Sequence, residues 1–366
     1  MHNELIINIS DQEANHMKKV LLLLLPFLFL VTASSAGGNN ASFLNLQVGS
    51  LPVIAQPSRS SIDRTTIPLL NKLSQRTSTL LFGVVSDIHV QRANPVAQNK
   101  FQQMLSDIMQ LQVPNLIING DLGDGTPQDY HTLSTLISRQ KNTPAIFYTI
   151  GNHEFYKANH NPITDAWSPE TFPNGETEVA AINRFLIFSG RDQVYYDEYL
   201  EGYHFIFLGS EKSAISDRTI GDKAFLSNTQ LEWLESELKE NYSPGKPIFV
   251  FLHQPLSRLG SSVNGFITQA DRLREILKKY PEVFFFSGHI HHQLSLPSTM
   301  IKENFNMVNS SSVALPRDVN GKPLPNQSEG LIVEVIDNKV FIKGRDFLTK
   351  TWIEGTQREF ASPKVI

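Results

Sequence analysis

Leu80-Leu81-Phe82-Gly83-Val84-Val85-Ser86-Asp87-Ile88-His89 sets six apolar, β-prone residues directly before a polar Ser-Asp-x-His. An apolar run of that length, closed by small and polar residues, reads as a buried strand with a turn at its end. The transition recurs along the chain. Residues 115–119 lead into Gly120-Asp121-Leu122-Gly123-Asp124, and residues 145–150 into Gly151-Asn152-His153-Glu154. Residues 248–252 lead into His253, and residues 283–286 into Gly288-His289-Ile290-His291. Between the first runs, Phe101, Met104, Leu105, Ile108 and Leu111 recur at helical spacing over 96–111, and a polar helix is expected over 128–139. Strand and helix in this alternation predict an α/β core with largely parallel pairing.

The rhythm breaks at 155–192, a loop-like insertion with a helix over 177–188, placed to form a rim or cap over whatever the strand ends build. Residues 194–199 and 203–208 read as a hairpin. Residues 227–238 read as an amphipathic helix with Leu231, Leu234 and Leu238 on one face, and 271–280 as another helix. Strands over 307–313, 331–336 and 340–346 close the domain, the last two joined by Asp337-Asn338. The economical division is a leader at 1–36, a Gly-, Asn-, Ser- and Pro-rich linker or arm at 37–78, one domain at 79–352, and a tail at 353–366.

Composition narrows the chemistry. The 366 residues include no Cys, so disulfides, thiolate ligands and a cysteine nucleophile are excluded, and any metal must be held by oxygen and nitrogen. A formal net charge of -4 offers no basic field to attract nucleic acid. Met17-Lys18-Lys19 precedes an apolar stretch from Val20 to Val31, followed by small residues at Ser34 and Ala36. That is the pattern of an export signal cleaved after Ala36, with Met17 as an alternative start. The apolar stretch is short for a permanent span. The mature protein is therefore expected outside the cytoplasm (secreted, periplasmic or surface-exposed) without stable membrane association. Its charge would barely change, because the leader takes only Glu4, Asp11, Glu13, Lys18 and Lys19 with it.

Side chains at the ends of neighbouring strands converge in one cleft. Asp87 and His89, one residue apart, can turn to the same ion. A carboxylate at Asp121, hard against its strand, can bridge two cations, while Asp124 can orient an imidazole. Asn152 offers a neutral amide oxygen and His153 a proton. His289 and His291 have the alternate spacing of a two-histidine clamp. Each alone has an ordinary structural reading: a turn, a surface loop or a core histidine. Five together at strand ends point to a dinuclear centre. His292 reads as a bystander, His204 as core, and His160 has only its location in the insertion to recommend it.

The ordered series Asp-x-His, Gly-Asp-x-x-Asp, Gly-Asn-His-Glu, His and Gly-His-x-His resembles the calcineurin-like metallophosphoesterase superfamily over residues 80–350. The run Asn228-Thr229-Gln230-Leu231-Glu232-Trp233-Leu234 resembles it too. The resemblance implies two mixed β-sheets packed together and flanked by helices, in four layers. It also implies one ion on Asp87, His89, Asp121 and His291, and a second on Asp121, Asn152, His253 and His289. His153 is then the histidine beside the leaving group, supported by Asp124. With His89 in place of a second carboxylate and no metal-binding tyrosine beside Asp124, the pattern is unlike the purple acid phosphatases.

The expected function is hydrolysis of a small phosphomono- or phosphodiester by attack of hydroxide held between two metal ions, with manganese, iron or zinc all suiting the donors. Two rivals use the same residues: a weak or inactive metal-binding surface protein, and a dinuclear hydrolase acting on a carbonyl. Tyr156, Lys157, Arg191, Tyr195, Tyr196 and Lys212 are candidates for a substrate-binding rim.

Overall fold

The computed structural model describes residues 80–256 and 266–360; the expected leader and arm lie outside them. The described chain opens with β1 (Leu80–Val85), β2 (Asn115–Asn119) and β3 (Ala145–Thr149) as parallel neighbours. Helices α1 (Pro95–Gln110) and α2 (Pro127–Ser138) connect them. Both helices start by the same device. Asn94 and Thr126 accept from the backbone N–H three residues on, and the next residue is a proline whose ring already holds helical φ.

After α3 (Glu178–Ser189) come the strands of a second sheet: β4 (Tyr196–Leu200), β5 (Tyr203–Phe207), β6 (Ile248–Phe251), β7 (Val283–Ser287), β8 (Met300–Lys302) and β9 (Asn306–Asn309). Helix α4 (Asn228–Glu237) precedes β6, and α5 (Ala270–Leu277) precedes β7. The chain then returns to the first sheet with β10 (Glu329–Ile336) and β11 (Lys339–Asp346), and β12 (Thr351–Trp352) and β13 (Arg358–Phe360) pair with β11. The sheet orders are β12-β11-β10-β1-β2-β3 and β4-β5-β6-β7-β9-β8, each mixing parallel and antiparallel pairs.

Strand alternation assigns the layers. Phe82 of β1, Phe205 and Phe207 of β5, Phe249 and Phe251 of β6, and Phe284 and Phe286 of β7 fall in one cluster with Val333 and Val335 of β10, between the sheets. Their alternate neighbours Ile206, Val250 and Phe285 pack with Leu231 and Leu234 of α4 and Leu273 and Ile276 of α5. On the other flank Val85, Leu116 and Ile118 meet Phe101, Met104 and Leu105 of α1 and Phe185 of α3. The result is helix, sheet, sheet, helix: the expected four layers. In the phenylalanine-rich middle layer Phe82 packs edge to face 5.0 Å from both Phe205 and Phe249, while Phe251 stacks on Phe205, Phe207 and Phe286.

Two readings change. Residues 307–313 are not one strand: β9 stops at Asn309, Ser311 takes a left-handed φ of 63°, and Val313 and Ala314 donate to the carbonyls of Ser86 and Asp87. The segment thus crosses from one sheet to the loop after β1. Beyond residue 352, read as a tail, Arg358–Phe360 adds β13 to the edge of β11.

Candidate metal centre

Each of the five segments begins two or three residues beyond a parallel strand: Asp87 after β1, Asp121 after β2, Asn152 after β3, His253 after β6 and His289 after β7. Among the described residues their donor atoms gather into three overlapping groups, Asp87–His89–His291, His89–Asp121–His153 and Asp121–His253–His289, each within 4.8 Å. His291 Nε2 lies 2.9 Å from Asp87 Oδ1 and 3.2 Å from His89 Nε2. His253 Nε2 is 3.2 Å from Asp121 Oδ2, and Asn152 Oδ1 is 2.9 Å from His289 Nδ1. Asp121 belongs to two of the three groups, and His89 links the second to the first.

The backbone delivers these atoms at a cost. Asp87, His89, Asp121, His289 and His291 have φ of 52°, 42°, 56°, 72° and 58°, a region L-residues rarely occupy. Such strain, of order 1–3 kcal/mol per residue, persists only where the surroundings over-determine it. Here Asp87 N donates to Gly120 O, His89 N to Asp121 O, and Gly288 N to His253 O. The glycines opening two motifs are steric necessities. A Cβ at Gly120 would stand 2.5 Å from His253 Nδ1, and one at Gly288 2.3 Å from Ser86 Oγ.

Several supporting residues carry no metal-binding signature. Buried Asn119 donates through Nδ2 to the carbonyls of Leu252 and Phe286, so the end of β2 is tied to the ends of β6 and β7. Glu154 is fully buried and accepts from the N–H groups of Asp121, Leu122 and Gly151, which fastens the β2 and β3 loops together. Burial and the neighbouring Asp121 raise its carboxyl. Ser310 Oγ donates to Ser86 Oγ, and Ser312 Oγ to the Asp87 carbonyl. A run of three serines gives no hint of this in sequence. Glu154 stands inside a quoted motif, but its role emerges only when the loops meet.

The donors fit a pair of cations. Asp87 Oδ1 and His253 Nε2 are buried, 3.8 Å apart, and make no hydrogen bond of good geometry despite close approaches to His291 and Asp121; a coordinated ion would satisfy both. His253 Nδ1 donates to the Asn119 carbonyl and His291 Nδ1 to that of Leu315, so each ring turns Nε2 toward the centre. Burial, reinforced by His153, pushes His89 down to about 3, and burial with His253 takes His289 to about 4. Both rings are therefore neutral, as ligands must be. Burial opposes charge on Asp87 and Asp121, but His291 and His253 beside the first, and His253 and His153 beside the second, keep both carboxylates ionised. Burial likewise opposes charge on His253, yet Asp121 and Asp87 raise it to about 10, a proton that a bound cation would displace.

His153 and Asp124 form a separate couple. His153 Nδ1 donates to Asp124 Oδ1 at 2.9 Å, leaving Nε2 3.9 Å from Asp121 Oδ2. Burial works against its charge, but Asp121 and the Asp124 hydrogen bond outweigh it and raise His153 to about 9. Beside it, Tyr156 accepts from Asn152 Nδ2 and donates to Asp222, which leaves the Asn152 amide oxygen facing the site.

The expected rim divides in two. Tyr156 and Lys212 border a cavity next to Asn152. The others are structural: Lys157 pairs with Glu176, Arg191 pairs with Glu198 and covers the Tyr196 ring, Tyr196 donates to the Tyr148 carbonyl, and Tyr195 packs on Trp233. A fourth group, Asp197, His204 and Glu237, shares no residue with the strand-end loops. There His204 is held by Asp197 at 3.0 Å and stacked under Tyr199, in keeping with a core histidine.

Residues 80–293 match the family model of calcineurin-like phosphoesterases. The chain belongs to that family. It is 26% identical over 198 residues to a 3',5'-cyclic-nucleotide phosphodiesterase of Nostoc sp., covering 50% of this chain and 62% of that relative's length. It is 25% identical over 221 residues to a protein of Arcobacter nitrofigilis named "Probable glycerophosphodiester phosphodiesterase", covering 57% of this chain and 70% of the other. The crystal structure of a dimetal phosphatase from Danio rerio superposes with a TM-score of 0.57 over 78% of this chain and all of that one. At 14% identity this last likeness concerns the fold alone.

Proposed function

We propose that this protein is an exported, dinuclear-metal phosphodiesterase acting on small phosphodiesters. The observation that carries the diester reading is a pair of cavities reaching the centre from different sides, one at Asn152 and one at the histidines. One, about 260 Å3, is bounded by Asn152, Tyr156, Trp167, Phe172 and Lys212. The other, about 480 Å3, is bounded by His89, His153, His289, His291 and Arg317. A monoester has one organic substituent to house, whereas a diester has two. The two relatives named as phosphodiesterases support the same choice.

In this reading Asp87, His89, Asp121 and His291 would hold one ion, and Asp121, Asn152, His253 and His289 the other. When bound, two such ions acidify water and neutralise charge on phosphoryl oxygens. The remaining work falls to the chain. Asn152 binds without adding negative charge beside the phosphate. His153, raised to about 9, holds its proton at neutral pH and delivers it from Nε2 to the departing oxygen. Asp124 fixes the ring that carries this proton. Trp167 and Tyr156 wall one substituent away from water.

Export rests on the leader, and N-terminal sequencing of the protein recovered outside the cytoplasm, beginning at Gly37, would support it. Among the described residues no helix is long and apolar enough to cross a membrane. The activity is tested with metal-reconstituted protein on bis-p-nitrophenyl phosphate and p-nitrophenyl phosphate. The diester is expected to be preferred in kcat/KM by at least about tenfold, roughly 1.4 kcal/mol of transition-state binding. Preference for the monoester would overturn the diester reading. Failure to cleave either ester, with two ions bound per chain, would overturn the hydrolase.

A further inference from the structure

We propose that His160, supplied by the insertion, is a positioning residue for the acid: it grips the second oxygen of Asp124 and so holds His153 on its target. This rests on the reading of His153 as the group that protonates the departing oxygen.

Asp124 is buried, shared between two imidazoles, and also hydrogen-bonded by the Gln91 side chain. Its Oδ1 lies 2.9 Å from His153 Nδ1, and its Oδ2 3.3 Å from His160 Nε2. The opposite nitrogen of His160, Nδ1, faces the Asp165 carbonyl at 3.1 Å and Asp165 Oδ1 at 3.5 Å. Both ring nitrogens of His160 thus look onto oxygen acceptors, and the ring spans Asp124 and Asp165.

A carboxylate bound at one oxygen can swing about its Cβ–Cγ bond and carry its partner imidazole with it. Bound at both, it cannot. The surroundings tie the clamp to neighbouring loops. Asp165 is paired with Arg92, whose own N–H donates to Asp129 Oδ1, while Asp124 N donates to Asp129 Oδ2. The insertion is thereby closed onto the loops after β1 and β2 through one line of contacts, Arg92–Asp165–His160–Asp124–His153. His160 also forms a backbone bridge with Trp167, whose ring meets its own edge to face at 5.5 Å. Trp167 is a wall of the cavity next to Asn152. One short segment therefore presents a substrate wall on one side and braces the acid on the other.

The test uses the metal-loaded protein and two diesters differing in leaving group, an alkyl phosphodiester whose alkoxide needs a proton and bis-p-nitrophenyl phosphate whose phenolate does not. The quantity read is the ratio of kcat on the alkyl ester to kcat on the p-nitrophenyl ester. His153→Ala is expected to lower this ratio by roughly 10²-fold or more. His160→Ala is expected to lower it about tenfold, as loss of orientation does, with KM near the parent value and two ions still bound. His160→Gln, which keeps a donor for Asp124, should recover much of the ratio. His160→Phe, which keeps a ring but offers Asp124 no donor, should lower the ratio as His160→Ala does and is the readout if His160→Ala fails to fold. The double variant His153→Ala/His160→Ala should be no worse than His153→Ala alone, since the second change acts only through the first residue. Equal losses on both esters, an unchanged ratio, or a double variant in which the losses multiply would overturn the proposal. If His153→Ala itself leaves the ratio unchanged, the acid assignment falls and the positioning role with it. A response at His153 but none at His160 removes only the positioning role.

Discussion

The strand-end loops and the insertion between β3 and α3 converge on His153 and Asp124, but they are held by different means. The loops are fixed by backbone. Left-handed residues are pinned by backbone hydrogen bonds to neighbouring loops, Gly120 and Gly288 admit no side chain, Asn119 ties β2 to β3, β6 and β7, and Glu154 ties the β2 and β3 loops. The insertion is fixed largely by side chains. Glu176 takes both Lys157 and Arg184, Asn174 Nδ2 reaches the carbonyls of Ala158 and Ser168, and Trp167 remains 54% exposed at the cavity. The first arrangement presets donor positions before any ligand arrives. The second sets a wall and a brace that sequence change can remodel without touching the donors. The contrast separates metal chemistry from substrate choice.

The comparison breaks most visibly at Asp121, which belongs to two of the three donor groups. Asp121→Ala should reduce bound metal to one ion or fewer per chain and lower activity by about 10³-fold or more. Retention of two ions, measured by elemental analysis, would separate Asp121 from the bridging role. Gly120→Ala tests the backbone side without altering a donor. A Cβ 2.5 Å from His253 Nδ1, at a φ of 85°, must displace the ring. Metal affinity should fall roughly 10–100-fold, as for other losses of outer support, and a competition titration with a chelator would measure it.

On the insertion side, Trp167→Ala should raise KM for bis-p-nitrophenyl phosphate by several-fold to about tenfold, as expected for a lost aromatic contact of ~0.5–1.5 kcal/mol, with metal content unchanged. Loss of metal would show that the two regions are not separable. The smallest expected effect is in the chelated protein. His153 is raised to about 9 from an ordinary 6.5, so its protonation stabilises the fold fully below about 6.5, and that contribution is lost as pH rises through about 9. Melting temperature should decline across this window, and His153→Gln should flatten the decline. His253, raised to about 10, adds a similar loss slightly higher.

Legibility followed the same division. The exits of β1, β2, β3, β6 and β7 were readable because a buried strand is an uninterrupted apolar run and a donor must follow where the run stops. The residues that hold those exits in place were not readable. Asn119 looks like a strand residue, Ser310–Ser312 like the end of one, and His160 like a loop histidine. The partners of Asn119, His160 and Ser310 in these contacts lie 133, 36 and 224 positions away, where no local spacing records them. The rim failed for a related reason. Arg191 and Lys157 suited a phosphate by charge, but each already has a carboxylate in the folded chain.

What the amino-acid sequence determined by itself is therefore the α/β alternation and the candidate donors at its strand ends, because apolar runs and strand-end turns are local properties of the chain; the layering came from the family resemblance. Tertiary structure alone decided which donors share a neighbourhood, which histidine nitrogen faces inward, and that His160 braces Asp124. Those outcomes depend on distances between segments remote in sequence, set by how two sheets register against a phenylalanine-rich middle layer.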